Sequence, residues 1–142
     1  MYAQATDLIA ADPAANEAEV EATYLRLFTA DAHIGVRGQM SVNGPLAWLE
    51  FVITSLSTLR GTQHLIGSQV VEINSLPNLQ GVGGAAVMTS YLQATQVGAD
   101  GDLSRVTGTY FSTATHTPEA GWQLAEMMLE VLAVDAPGTG TG

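Results

Sequence analysis

His64 is the side chain in this sequence best suited to acid–base chemistry. It lies near the start of a segment with two-residue periodicity, next to Gln63 and followed by the apolar residues Leu65 and Ile66. Imidazole is well matched to proton transfer near neutral pH, so a strand histidine that faces a cavity can serve as a general acid or base. The alternative interpretation is a core or rim histidine whose ring hydrogen-bonds a backbone carbonyl.

The composition excludes several other chemistries. The 142 residues include no cysteine and no lysine, which removes disulfides, thiolate metal sites, cysteine nucleophiles and Schiff-base lysines. The three histidines have unrelated positions, without a His-x-x-x-His motif or clustered carboxylates, so no metal site is predicted. No G-x-G-x-x-G motif precedes a helix either, and we therefore expect no cofactor.

The charge of the chain is strongly acidic. Fourteen Asp and Glu residues against four arginines give a net charge of −10. Phosphate backbones and anionic membranes repel such a chain, so neither nucleic acid nor a membrane is an expected partner. No secretory leader and no run of roughly 18 apolar residues is visible, which makes a soluble cytoplasmic protein the default.

Periodicity predicts helices first and then strands. Helical patterns cover residues 2–11, then residues 16–28 with Asn16 as the cap, and then a segment that starts at Asn43-Gly44-Pro45 and ends at Gly61. A short strand at His33 to Arg37 separates the second and third helices. Four long strands joined by turns follow, at Thr62–Ile73, Ala85–Val97, Leu103–Thr117 and Trp122–Val134. We therefore expect one α+β domain over residues 1–135 with an antiparallel sheet, and a disordered tail over residues 136–142.

The order of these segments resembles a known family. "LFTADAHI", a helix, "GTQHLIGSQVVEI" and a final strand that opens with "GW" are similar to the SnoaL-like group of the nuclear-transport-factor-two-like superfamily. The resemblance implies a cone-shaped, curved antiparallel sheet wrapped around N-terminal helices, with an enclosed pocket. It also implies a homodimer that pairs through the convex side of the sheet.

The same resemblance gives His64 a partner. "TQHLIG" is similar to the segment that carries a catalytic histidine in scytalone dehydratases, and "YAQATD" is similar to the segment that supplies a carboxylate, here Asp7. An aspartate bonded to one ring nitrogen would fix the tautomer and leave the other nitrogen free. At about 100° per residue Asp7 points away from the Tyr2, Ala5 and Ile9 face of its helix, so an exposed helical acid is the alternative.

Strand alternation predicts the residues that bind a substrate. On the 85–97 strand one face carries Tyr91 and Gln93, and on the next strand one face carries Tyr110 and Ser112. Mixed polar and apolar faces suit a ligand cavity, in which either tyrosine could donate a hydrogen bond to a substrate oxygen. Trp48 and Met88 could shape its apolar part. Ordinary sheet packing or a dimer face is the alternative.

These residues favour a cofactor-independent acid–base enzyme, with His64 and Asp7 as the catalytic pair. It would be a cyclase, isomerase or dehydratase that acts on a hydrophobic polyketide- or steroid-like molecule in an enclosed pocket. Scytalone dehydratases carry a second histidine where this chain has Gln96-Val97, so their specific dehydration is not implied. Two alternatives stay open: an epoxide hydrolase of the same fold, which uses an Asp-Arg-Asp arrangement, and a non-catalytic ligand-binding or assembly subunit.

Overall fold

The structure, a computed structural model, describes residues 1–136 and contains three helices and six strands in that range. In chain order the elements are α1 (Tyr2–Ala11), α2 (Pro13–Leu27), β1 (Phe28–Val36), β2 (Met40–Asn43), α3 (Pro45–Leu56), β3 (Gly61–Ser75), β4 (Gly84–Val97), β5 (Leu103–Thr117) and β6 (Gly121–Asp135). The predicted short strand is the end of the longer β1, and β2 was not predicted. Residues 137–142 of the predicted tail lie outside the described residues.

Asp12 separates the first two helices and begins the second. Its side chain accepts a hydrogen bond from the backbone nitrogen of Ala15 at 3.1 Å, and Pro13 occupies the first turn of α2. The prediction that Asn16 caps this helix is wrong. Its side-chain nitrogen instead donates to the carbonyl oxygens of Leu8 and Asp12, which ties α2 to the end of α1.

The six strands form one curved, unclosed sheet in the order β2-β1-β6-β5-β4-β3. The four long strands form an antiparallel meander, as predicted. The sheet is nevertheless mixed, because β1 runs parallel to β6 and pairs Ile34 with Met127. A hairpin turn fixes the direction of neighbouring strands, whereas β1 and β6 are far apart in the chain and no local signal sets their relative direction.

The helices pack against the sheet and form the core with it. Five large side chains in this core are almost fully buried: Ile9, Val20, Tyr24, Phe28 and Ile34. They come from α1, α2 and β1, so the N-terminal segments supply much of the core. The expected α+β arrangement is therefore confirmed. Because α1 contributes the buried Ile9 to this core, its position relative to the sheet is fixed by packing. Within residues 1–136 no helix is both long enough and apolar enough to cross a membrane.

Gly108 allows β5 and β6 to approach each other closely. It lies at an irregularity in the register of these two strands, where a bulge bends the sheet. A Cβ atom at this position would overlap the backbone carbonyl oxygen of Glu130. Since Tyr110 follows two residues later on the same face, this bend also helps to set the position of the Tyr110 ring.

Replacement of Gly108 by alanine should therefore destabilise the fold. We expect Gly108→Ala to lower the free energy of unfolding by about 1–3 kcal/mol, because a backbone atom must move to accept the methyl group. Gly67→Ala is the matched control, since a Cβ there meets nothing within 4 Å. Its effect should stay within about 0.5 kcal/mol. Urea unfolding followed by circular dichroism measures both, and equal midpoints for the two variants would contradict this account.

Candidate active site

The carboxylate of Asp7 lies between α1 and β3 and accepts three hydrogen bonds. The Nδ1 atom of His64 is 2.6 Å from Oδ1 of Asp7, and the hydroxyl of Thr62 donates to the same oxygen at 2.8 Å. The backbone N–H of His64 donates to Oδ2 at 3.1 Å. The structure thus brings together the two residues that the sequence predicts as a catalytic pair.

Asp7 reaches His64 because α1 is covered on more than one side. Ala5 and Ile9 face the helical core, as the periodicity predicts, while another face of α1 packs against β3. Asp7 points toward that strand, so the alternative of a fully exposed acid is wrong. The His64 and Asp7 side chains remain 10% and 24% exposed, respectively.

The hydrogen bonds decide how the pair is protonated. Burial tends to raise the pKa of Asp7, but hydrogen bonds from the His64 ring, the His64 backbone and Thr62 outweigh it and hold the pKa below the usual value. An ionised carboxylate can only accept hydrogen bonds, so the proton of the short contact belongs to Nδ1 of His64. In the neutral ring Nε2 then carries the lone pair, and within residues 1–136 no other group hydrogen-bonds that atom.

His64 forms part of the wall of two adjoining cavities. The larger has a volume of about 430 Å³ and the smaller about 270 Å³, and both are also lined by Tyr2 and Tyr110. Met88 and Ser112, two of the predicted binding residues, line the larger cavity. Trp48, also predicted, lines the smaller one. His64 therefore borders space that is large enough for a small molecule, and both cavities are partly open to solvent rather than fully enclosed.

Tyr91 and Gln93 do not face these cavities, and the prediction that they do is wrong. Both are exposed on the outer face of β4, and Tyr91 is 61% exposed. The inner face of β4 carries the even-numbered residues, among them Met88 and Ser90. The sequence did not distinguish the faces, because each of them mixes apolar and polar side chains.

Tyr2 is a cavity residue whose role the sequence did not reveal. Its hydroxyl accepts a hydrogen bond from the indole nitrogen of Trp48 at 3.1 Å, and its ring stacks on Tyr24 and meets Tyr110 edge-on. Burial raises the pKa of all three tyrosines, which therefore stay protonated and can donate hydrogen bonds. The only signal in the sequence was that Tyr2 opens the "YAQATD" segment that contains Asp7.

Ser112 lines the larger cavity, but its hydroxyl oxygen is buried in the wall. The residue is only 4% exposed, and within the described part of the chain no group hydrogen-bonds its oxygen. A buried hydroxyl without a partner is costly, by about 1–3 kcal/mol. The Ser112 hydroxyl therefore lowers stability, and it is not accessible to a molecule in the cavity.

Two further polar residues, Asp31 and His33, lie away from this site. Asp31 is exposed on β1, and the ring of His33 is 3.4 Å from the side-chain oxygen of Asn43 on β2. Neither residue lines the two cavities. Across residues 1–136 no group of three or more histidine or acidic side chains is arranged to hold a metal ion.

Comparison with known proteins identifies the family. A model of the SnoaL-like domain matches residues 2–128, and the chain therefore belongs to the SnoaL-like domain family. A search of curated proteins found no match to this chain.

Several solved structures share the fold. A candidate scytalone dehydratase from Novosphingobium aromaticivorans is 16% identical, with a TM-score of 0.73 over 99% of this chain and 83% of that chain. A candidate aromatic ring hydroxylase from the same organism is 22% identical, with a TM-score of 0.73 over 95% of this chain and 85% of that one. A hexachlorocyclohexane dehydrochlorinase from Novosphingobium barchaimii is 12% identical, with a TM-score of 0.66 over 86% of this chain and 80% of that one. At these identities the likeness establishes the fold.

The lowered pKa of Asp7 predicts a pH-dependent contribution to stability. A carboxyl whose pKa is lower in the folded state stabilises the fold when the pH is above its unfolded pKa, which is 3.8 for Asp7. That contribution is lost as the pH falls through the folded pKa. The difference in unfolding free energy between the wild type and Asp7→Asn should therefore shrink as the pH drops below about 3.8.

Urea unfolding from pH 6 to pH 3 measures this difference. Asp31→Asn serves as the control for the loss of one carboxylate from the exposed surface. A gap between the wild type and Asp7→Asn that does not change over this range would show that the carboxylate is not held by these hydrogen bonds.

Proposed function

We propose that this protein is a cofactor-independent acid–base enzyme that acts on a hydrophobic small molecule. The observation that supports the proposal most strongly is the position of the His64 ring. Its Nδ1 atom is bound to Asp7 at 2.6 Å, while the ring itself lines both cavities. A base needs a lone pair that can reach the substrate, and this tautomer offers Nε2 for that purpose.

The chemistry follows from this arrangement. Nε2 of His64 would take a proton from a carbon next to a substrate carbonyl, and the electron pair of the broken C–H bond would move toward the carbonyl oxygen. The ionised Asp7 stabilises the imidazolium ion that forms. The electrons can then expel a leaving group, form a new carbon–carbon bond or accept the proton at another carbon. These outcomes correspond to elimination, cyclisation and isomerisation.

Neutral hydroxyl groups are suited to hold the substrate oxygen. The phenols of Tyr2 and Tyr110 are kept protonated by burial, and both line the two cavities. Donors aimed at an oxygen that gains negative charge stabilise the transition state more than the ground state.

The cavity walls favour a neutral, hydrophobic substrate. Apart from His64, no side chain that can carry a charge near neutral pH lines either cavity within residues 1–136. Apolar side chains such as Met88, Leu92, Leu124 and Met127 supply much of the lining. A polyketide- or steroid-like ring system with a carbonyl group fits this environment.

The names of two structural neighbours support elimination as one form of the reaction. One is a candidate scytalone dehydratase and the other a hexachlorocyclohexane dehydrochlorinase. Loss of water and loss of hydrogen chloride both begin with the removal of a proton.

Epoxide hydrolysis by an Asp-Arg-Asp arrangement receives no support from the arginines. All four arginines are among the described residues, and none lines the two cavities. Arg37 instead pairs with Glu130 at 2.7 Å and lies over the ring of Phe111. A non-catalytic binding subunit is the remaining alternative, and the loss of activity on mutation of His64 distinguishes it.

The homodimer stays a prediction. The outer face of the sheet carries exposed apolar side chains that a second copy would bury, among them Tyr91 and Leu132, which together line a shallow depression there. Their exposed fractions are 61% and 83%. Sedimentation equilibrium would measure the mass of the assembly directly.

Replacement of His64 by alanine tests the catalytic proposal. Bicyclic ketones such as 2-tetralone, incubated with the protein in D₂O, report proton removal as deuterium incorporation next to the carbonyl, read by mass spectrometry. We expect His64→Ala to slow enzyme-catalysed exchange by roughly 10²–10⁴-fold, the range typical for loss of a general base.

His33→Ala is the matched control, because His33 lies outside both cavities. It should exchange deuterium at the wild-type rate, and circular dichroism should show that both variants are folded. A His64→Ala variant with full activity would rule out His64 as the base.

A further inference from the structure

The larger cavity continues into an apolar groove at the far end of the sheet. This distal groove has a volume of about 190 Å³. Besides Met88 and Leu124, the residues that line it are Val71, Ile73, Ala86, Val87, Ala114 and Trp122. It shares Met88 and Leu124 with the larger cavity that His64 lines. A molecule bound at His64 could therefore extend into the distal groove past these two side chains.

The strand register explains this continuity. Val71 pairs with Met88, which pairs with Ser112, and this row of residues borders the larger cavity. The next row on the same face pairs Ile73 with Ala86, and it lies about 6.6 Å farther along the strands. The distal groove is thus the direct extension of the active-site surface along the sheet.

A bulge in β3 keeps this extension free of charge. His64 and Ile66 face inward, and an unbroken alternation would bring Ser68, Val70 and Glu72 to the same face. The register instead shifts between Gly67 and Val70, where Ser68 has a φ of 48°. Val71 and Ile73 therefore take the inward positions, and Glu72, which pairs with Val87, takes the opposite face.

The apolar side chains of the distal groove remain accessible. Val71 is 58% exposed, Ile73 is 54% exposed and Trp122 is 41% exposed. Exposed apolar surface that is continuous with a cavity marks a place where a hydrophobic group binds.

We propose that the distal groove binds a linear apolar tail of the substrate, whose reacting head lies at His64. The substrate class is then a neutral, elongated molecule with a carbonyl- or hydroxyl-bearing head and a hydrocarbon tail. This inference rests on the proposed function for the position of the head. The continuity with the catalytic cavity favours a substrate tail over a second copy of the chain as the occupant.

A series of 4-alkylphenols from ethyl to octyl provides the probe, since the phenol can donate to Nε2 of His64 while the tail length varies. Binding is followed by tryptophan fluorescence, because Trp48 and Trp122 line the cavities and the groove. In the wild type each added methylene group should raise affinity about three- to fourfold.

Val71→Asp and Val70→Asp form a matched pair of variants. The two valines are adjacent and exposed, but only Val71 lines the distal groove, whereas Val70 pairs with Thr89. We expect Val71→Asp to weaken octylphenol binding by more than about tenfold, since it sets a charge against the tail, and to leave ethylphenol binding within about twofold. Val70→Asp should bind the whole series as the wild type does.

Three results would overturn the inference. They are an affinity of the wild type that does not depend on tail length, equal behaviour of the two variants, and a change of assembly mass with Val71→Asp, which would make the groove an interface between copies. The assay needs no turnover. A fully active His64→Ala variant would therefore reject the proposed function. The dependence of alkylphenol affinity on tail length would still test whether the distal groove binds an apolar tail.

Discussion

The Asp7 carboxylate joins the first helix to the first long strand, and the geometry of the site depends on it. Burial makes a charged carboxylate costly, and three hydrogen bonds from Thr62 and His64 offset that cost. The same bonds orient the imidazole ring and assign its proton to Nδ1. The packing of Ala5 and Ile9 in the core holds α1 where Asp7 can make them. Both the stability of the fold and the position of the His64 base therefore depend on the hydrogen bonds that Asp7 accepts.

Charge is distributed so that the concave side of the sheet stays almost neutral. The chain has fourteen carboxylates, yet within the described residues none lines the two cavities or the distal groove. The Asp7 carboxylate is bound to the His64 ring and does not line the cavities. The Arg37–Glu130 pair is largely exposed. The β3 bulge turns Glu72 away from the groove. A neutral environment strengthens the interaction between Asp7 and an imidazolium ion, and it also favours hydrophobic substrates.

Local patterns in the sequence predicted the helices and strands well. They predicted less well which strands pair and which face of a strand points inward. The two-residue period placed β5 at its observed bounds, and resemblance to a family paired Asp7 with His64. The orientation of β4 was misread because both of its faces mix polar and apolar residues, so Tyr91 was placed inside. The parallel pairing of β1 with β6 and the β3 bulge depend on contacts between distant segments, which periodicity does not report.

The protonation state of the His64 ring is the most direct test of this account. ¹⁵N NMR of the imidazole rings, at a pH high enough that they are neutral, distinguishes the protonated nitrogen from the nitrogen with the lone pair. We expect His64 to carry its proton on Nδ1 in the wild type and to shift toward the other tautomer in Asp7→Asn. His116 is the internal control, because its Nδ1 atom is 2.6 Å from the carbonyl oxygen of Gly81 and should stay protonated in both proteins. A wild-type His64 with its proton on Nε2 would contradict the account, since the nitrogen assigned as the base would then be occupied.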